Sequence, residues 1–408
     1  MAIRSIVKFA GLSLAGLGAL MASNAMAADV GNNNHVKIGG LIQTDFASFG
    51  GDASKDGKYA DAFNSGGDFR RIELAIKGAI DNDWSYQIQY DIDDTSWDDT
   101  WLGYGGFQPL WVAVGRLAIP QGLENWNSSS SLQFLERASV SEAFAPINSG
   151  IGIYGEGTTG VVSYAAAFIY PDHDAQEDAD NGAFASSDPW AAGARLTVAP
   201  TNQDGNVLHF GGSYYYQDID ANQEYNALES MPGVDIRNGY ALVESVGAST
   251  TAAYGQADHY QVWGAELAGI AGPFSAQAEY EKYYLNGRRS FASLDFDGWY
   301  AQVAYVLTGE SRTYNQASGT FGNVSPNGDM GAFEVALRYN TIDLSDYDSS
   351  WAENDERGKQ HDWTVGGNWY VNDNVKFQLN YIRAKADYST TLADRTVDVL
   401  AARAQVRF

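Results

Sequence analysis

A membrane-spanning, all-β barrel of sixteen antiparallel strands is predicted by three features of this sequence. Stretches of apolar–polar alternation recur along it, and the links between them alternate between short and mostly long. Past residue 27, no run approaches the roughly 18 apolar residues that a spanning helix needs. The clearest stretch is 84–93, where every even position is aromatic or aliphatic and every odd position is polar. Strand side chains alternate faces, so one side is a tyrosine-rich apolar stripe and the other is polar. The preceding arm repeats this, with Ile72, Leu74 and Ile76 on one face and Arg71, Glu73 and Lys77 on the other. Asp81-Asn82-Asp83 makes the turn between them. A soluble sandwich with a buried apolar face would alternate too. It gives no reason for link lengths to be one-sided.

In chain order, residues 1–27 read as a cleavable secretory signal. Arg4 and Lys8 form a positive start, Phe9 to Met21 is apolar, and Ala25-Met26-Ala27 supplies small residues for cleavage. Residues 28–408 are then expected to form one barrel domain. Removing Arg4 and Lys8 leaves 25 − 2 = 23 basic residues against 51 acidic ones, a charge of −28. Such acidity argues against a nucleic-acid partner. The absence of cysteine means that an exported chain must hold together without disulfides.

Strands are expected near 36–49, 69–80, 84–93, 99–107, 110–117, 149–156, 160–170 and 190–199. The second half gives 206–217, 259–268, 274–286, 296–307, 331–344, 361–371, 375–387 and 396–408. Links at 81–83, 108–109, 157–159, 200–205, 269–273 and 372–374 are short. Those at 50–68, 118–148, 171–189, 218–258, 287–295 and 345–360 are mostly longer. The long link 308–330 falls on the short side and breaks the pattern. The last strand carries Leu400, Ala402, Ala404, Val406 and Phe408 on one face and ends on that phenylalanine. Closure removes sheet edges and satisfies every backbone group in lipid.

If the apolar faces meet lipid, the polar faces line a lumen. Parity then assigns Arg71, Glu73, Lys77, Gln87, Gln89, Asp91 and Asp93 to the pore wall. Lys37, Gln43 and Asp45, then Gln277, Glu279 and Glu281, then Lys376, Gln378 and Asn380 follow by the same rule. A polar lumen in a barrel of this size is an aqueous channel. The link from Ala118 to Asn148 holds four consecutive serines, Ser128 to Ser131, before Leu132, Phe134 and Leu135. Chain logic leaves two roles open for it, a constriction anchored by those apolar residues or a solvated surface loop.

An enzyme on a barrel is the rival class. The five histidines, His35, His173, His209, His259 and His361, are scattered, with no nucleophile elbow or metal-ligand spacing nearby. No catalytic residue, metal or cofactor is assigned. His209 and His259, on adjacent expected strands, are the one pair that could be neighbours.

Phe69-Arg70-Arg71, Tyr86–Asp91, Gly115-Arg116, Gly122-Leu123-Glu124 and Leu135-Glu136-Arg137 occur in an order that resembles the phosphate-selective porins of the porin O/P family. The resemblance continues through Phe274–Tyr280, Gly298-Trp299-Tyr300, residues 307–312, Asn368-Trp369-Tyr370 and Val375–Tyr381. It implies an outer-membrane homotrimer of sixteen-stranded barrels, in contact with lipid and lipopolysaccharide. It also implies an inward-folded third loop and passive uptake of small anions such as phosphate or pyrophosphate. The long link 308–330 is periplasmic in that family. The resemblance carries a solute site onto Arg70, Arg71, Asp98, Ser128, Ser129 and Arg137. Arginine suits phosphate because its planar fork donates paired hydrogen bonds. Adjacent Arg70 and Arg71 should point to opposite sides of a regular strand. Both reach the lumen only through a bulge or a strand end, and a salt bridge to Glu73 or a loop acid is the alternative role.

The departures run against phosphate. Asn125, Ser130 and Ala113 stand where the family's phosphate-selective members have lysines. Of a ladder of loop arginines, little but Arg237 corresponds. The loops carry Asp172, Asp174, Glu177, Asp178 and Asp180, then Asp346, Asp348, Glu353, Asp355 and Glu356. A general or cation-favouring porin of the same fold is the alternative.

Overall fold

The computed structural model describes residues 27–29, 35–51, 65–146, 150–171, 189–203, 205–220, 227–236, 241–246, 256–351 and 354–408. The expected signal segment before Ala27, Arg237, Glu353 and the acids between Asp172 and Asp180 lie outside these residues.

Sixteen strands form the wall. They are β1 His35–Gly51, β2 Gly66–Ile80, β3 Trp84–Asp91, β4 Thr100–Phe107, β5 Leu110–Arg116, β6 Gly150–Thr159, β7 Val162–Pro171 and β8 Ala191–Gln203. After them come β9 Asn206–Asp218, β10 Ala257–Ala271, β11 Phe274–Gly287, β12 Leu294–Val306, β13 Ala332–Asp343, β14 Gly358–Tyr370, β15 Val375–Tyr388 and β16 Arg395–Arg407. Each pairs antiparallel with its chain neighbours, and β16 returns to β1 with Leu41 opposite Arg407 and Gly51 opposite Val397. The ring is closed, as the alternation and link lengths require.

Parity holds around the wall. On β15, Phe377, Leu379 and Tyr381 are exposed to the outside, whereas Lys376, Gln378 and Asn380 are buried within. Leu74, Ile76, Ile88 and Trp84 face outward likewise. An apolar exterior over a polar interior is stable only where the outside solvent is hydrocarbon.

Strand β3 stops two residues short of its expected end. The Asp91 carboxylate accepts the backbone N–H groups of Asp93 (2.9 Å) and Asp94 (3.4 Å), which turns the chain out of the sheet. Asp93 therefore sits in the link and not on the pore wall. His209 and His259 are not neighbours either. The β9–β10 register sets His209 opposite Ala268 and His259 opposite Asp218, at opposite ends of the pair.

Among the described residues, at least three links contact inward-facing side chains of the wall. One is the link after β9, whose Met231 carbonyl accepts from Gln360 at 2.9 Å and whose Asp235 lies 3.6 Å from Arg70. The 117–149 link carries short helices at Leu123–Trp126 and Ser139–Ala143. The irregular link 307–331 forms a small hairpin, Arg312–Asn315 with Thr320–Val324. Its Tyr314 hydroxyl meets His209 Nδ1 at 2.8 Å, and Asn323 Nδ2 donates to the Ser130 carbonyl at 3.1 Å. One side of the lumen is thereby filled, and the open space is displaced toward β1–β5.

Candidate functional site

The open space is a cavity of about 810 Å³. It is lined by all six residues expected at the solute site, Arg70, Arg71, Asp98, Ser128, Ser129 and Arg137. Glu73, Lys77, Gln87 and Gln89 also line it, as does Lys37. Asp91 faces inward and is buried, but its carboxylate is committed to the turn after β3.

The tandem arginines share the cavity because β2 carries an extra residue. Arg71 stands opposite Gln43, yet the next partner, Thr44, stands opposite Phe69. Arg70 is the unpaired residue of this bulge, and the local kink turns its side chain to the lumen beside that of Arg71.

The two arginines differ in what they hold. Arg70 donates to both oxygens of Glu136, from Nε at 3.0 Å and from Nη2 at 3.2 Å. Arg71 donates from Nη1 to Gln43 Oε1 at 2.9 Å, and among the described residues only its Nε approaches an acid, Glu73, at 3.7 Å. Arg137 donates to the backbone carbonyls of Glu124 (3.0 Å) and Asn127 (3.3 Å). Among the described residues it has no carboxylate partner. Both alternatives for the tandem pair are thus present: a salt bridge for Arg70 and an accessible guanidinium for Arg71.

Glu136 is itself shared. Arg403 on β16 reaches its Oε1 at 2.5 Å and holds Asp45 of β1 at 2.7 and 2.6 Å. Burial alone would raise the Glu136 carboxyl, but Arg70, Arg403 and Arg71 outweigh it and hold the group far below the usual carboxylate range. The 117–149 link, which is the third link on the long-loop side of the barrel, is fixed around it by further contacts. Arg338 lies over the Phe134 ring at 4.5 Å and donates to the Glu136 carbonyl at 3.0 Å. Lys376 Nζ donates to the carbonyls of Ser130 and Leu132, at 2.9 and 3.0 Å. Glu279 takes the backbone N–H groups of Leu123 and Glu124 at the start of the first short helix.

These contacts correct part of the parity reading. Gln277, Glu279, Glu281, Lys376, Gln378 and Asn380 point inward, but they are buried and do not line this cavity. Arg403 and Glu136 were not among the residues expected at the site. The parity of the last strand places Arg403 inside with Gln405, which was the available signal; nothing local marks Glu136 as its partner.

An acidic shelf borders the arginines. Gln89 Nε2 donates both to Glu73 Oε2 at 3.0 Å and to Asp98 Oδ2 at 2.8 Å. In the link outside the strands, Asp98 is raised by burial and by Asp91, and burial together with Asp98 pushes Asp99 up to about 6.

The profile of the family "Phosphate-selective porin O and P" matches residues 36–408. Porin O of Pseudomonas aeruginosa is 33% identical over 379 residues, which is 87% of this chain and 84% of that protein. Among solved structures, an anion-selective porin from Comamonas acidovorans superposes with a TM-score of 0.52 at 11% identity, covering 92% of this chain and all of that one. The trimer form of OmpT, an outer-membrane protein of Vibrio cholerae, gives 0.52 at 8% identity, covering 92% and 99%. At such low identity these two structures speak to the fold alone.

Proposed function

The chain belongs to the phosphate-selective porin O and P family, and we propose that it is a weakly anion-preferring member whose solute site is centred on Arg71 and Arg137. It is an outer-membrane porin that forms a water-filled channel for passive uptake of small anions. The observation that carries the finer reading is the state of these two guanidinium groups. Both line the cavity, and among the described residues neither is held by a carboxylate at hydrogen-bond distance. Rings of basic side chains make anion pores.

Ser128 and Ser129 add hydroxyl donors beside them, and Asp98 borders the site. Arg70 acts mainly by fixing the third link through Glu136. Phosphate and pyrophosphate are candidate solutes, passed without tight binding because Asn125 and Ser130 bring no charge. The protein is proposed to be exported by residues 1–27 and to work as a homotrimer set in lipid and lipopolysaccharide. A solved barrel of the same fold is a trimer form. A general or cation-favouring porin is the second reading, favoured by Glu73, Asp98 and Asp99 at the same cavity.

Zero-current potentials across a KCl gradient, with and without phosphate, test the choice. Anion preference with weak phosphate inhibition of the current supports the first reading. Cation preference at every salt concentration would establish the second.

A further inference from the structure

We infer that the cavity takes zwitterionic solutes, small phosphate or phosphonate esters that carry a primary ammonium. The inference rests on the anion-site reading above and names the substrate class of that site. Its basis is the side-by-side arrangement of two poles of opposite sign on one open space.

The basic pole is Arg71 with Arg137. Among the described residues Arg71 Nη2 and Arg137 Nη1 donate to no protein acceptor, and both side chains line the cavity. The acidic pole is Glu73 with Asp98. Both line the same cavity, and the single Gln89 amide nitrogen that donates to each holds the carboxylates side by side. Glu73 Oε1 lies 3.7 Å from Arg71 Nε, so the poles meet without a tight hydrogen-bonded bridge. The Asp98 carboxylate is also met by the backbone N–H of Asp99.

Each of the two carboxylates at the border repels a bare dianion at contact range. A solute with its own ammonium turns this repulsion into attraction. Its phosphate accepts from the free guanidinium nitrogens, and its N–H groups donate to Glu73 and Asp98. The fixed charges then need not neutralise one another when the site is empty. No chemical step is involved.

The test compares small phosphate esters on the purified full chain in planar bilayers, at about pH 8 so that the carboxylates are ionised. Inhibition of the KCl current is titrated with ethyl phosphate, 2-aminoethyl phosphate and phosphocholine. A pore that responded to net charge alone would favour ethyl phosphate, the more negative of the first two. The expected result is inhibition by 2-aminoethyl phosphate at several-fold lower concentration than by ethyl phosphate. Phosphocholine, with the same net charge but no N–H, should lose that advantage. In Glu73→Gln/Asp98→Asn the preference should vanish while inhibition by ethyl phosphate strengthens, and Glu73→Gln alone should lie between. Heat-modifiable migration on gels shows that each variant is folded.

Equal inhibition by ethyl and 2-aminoethyl phosphate in the unmodified protein would overturn the inference, as would a preference that survives the double substitution or is shared by phosphocholine. If none of the three esters, nor inorganic phosphate, changes the current, the anion-site reading falls with it. If the pure anions inhibit and the ammonium adds nothing, this inference alone falls.

Discussion

Arg70 and Glu136 form a two-point ion pair inside the barrel, at 3.0 and 3.2 Å, with both side chains nearly buried. A bulge on β2 makes the pair possible, since without the extra residue Arg70 would point to the outside. The neighbouring Arg71 has no two-point acid partner among the described residues, only Glu73 at 3.7 Å, and it lines the cavity. Replacing Arg71 with alanine should therefore weaken phosphate inhibition of the current by roughly tenfold or more, the loss of a charged hydrogen bond at about 1.5–3 kcal/mol. Arg70→Ala should shift the zero-current potential but leave the inhibition constant within about threefold, since its hydrogen bonds go to protein. Equal losses in the two variants would place Arg70 on the solute as well.

Glu136 offers a prediction of opposite signs. Glu136→Gln leaves Arg70 with Asp235, at 3.6 Å, as its one carboxylate partner among the described residues, and strips Arg403 of one of its two acids. Breaking a buried pair from one side costs about 3–5 kcal/mol, and here it falls on the contact that fixes the third link. Stability should drop, read as a lower temperature for heat-modified migration. Anion preference should rise, because Arg70 is freed toward the cavity. A variant with unchanged stability would show that the other anchors, at Arg338 and Lys376, suffice.

How much of this was written in the sequence depends on the range of the interaction. The sixteen strands were legible because period two is local: a stretch such as Val375–Tyr388 announces both of its faces. The six cavity residues were legible through resemblance, and their shared position was not. Arg70 reaches the lumen only through a bulge that depends on pairing with β1. Glu136 and Arg403 are 267 positions apart, and their contact exists only after β16 closes onto β1. The inner hairpin at 312–324 showed in the sequence as a link of the wrong length. Its contacts with His209 and Ser130 follow from the volume it fills.

Closure itself can be tested at Gly40. Its backbone exchanges hydrogen bonds with Phe408, at 2.9 and 3.1 Å. A β-carbon there would sit 2.5 Å from the Glu73 carbonyl and 2.8 Å from the Phe408 ring. The ring can yield, but the carbonyl belongs to the β1–β2 ladder. Gly40→Val is expected to lower the yield of heat-modifiable protein severalfold, whereas Gly367→Ala, with open space around its β-carbon, is expected to be neutral. Normal assembly of Gly40→Val would show that the seam can shift.

Asp99 gives the pore a pH dependence. Burial, then Asp98, pushes its carboxyl up to about 6, so it is neutral near pH 5 and charged above pH 7. Its pKa is raised in the fold, so any stabilisation is complete below the unfolded value and is lost as pH rises through about 6. The same step adds a negative charge at the cavity. Anion preference should thus fall between about pH 5 and pH 7 in zero-current measurements, and Asp99→Asn should flatten that change. An identical profile in the variant would assign the titration to another group.

The last prediction concerns salt, and distance decides it. The chain carries 51 acids against 25 bases, and acids such as Asp346, Asp348 and Asp355 lie on loops outside the wall. Arg71 and Arg137 line the inner cavity. At physiological ionic strength the Debye length is about 8 Å, so exposed loop acids are largely screened from charges deep in the lumen. A solute in the cavity meets the guanidinium groups at contact range, where the effective dielectric is lower than in bulk water. Below about 0.01 M salt the screening length grows to about 30 Å, and the loop acids repel anions before they enter. Weak anion preference at moderate salt should therefore decline or reverse on dilution. Neutralising Asp346, Asp348 and Asp355 together should restore it at low salt and change little at high salt. A preference independent of ionic strength would mean that the lumen alone sets selectivity.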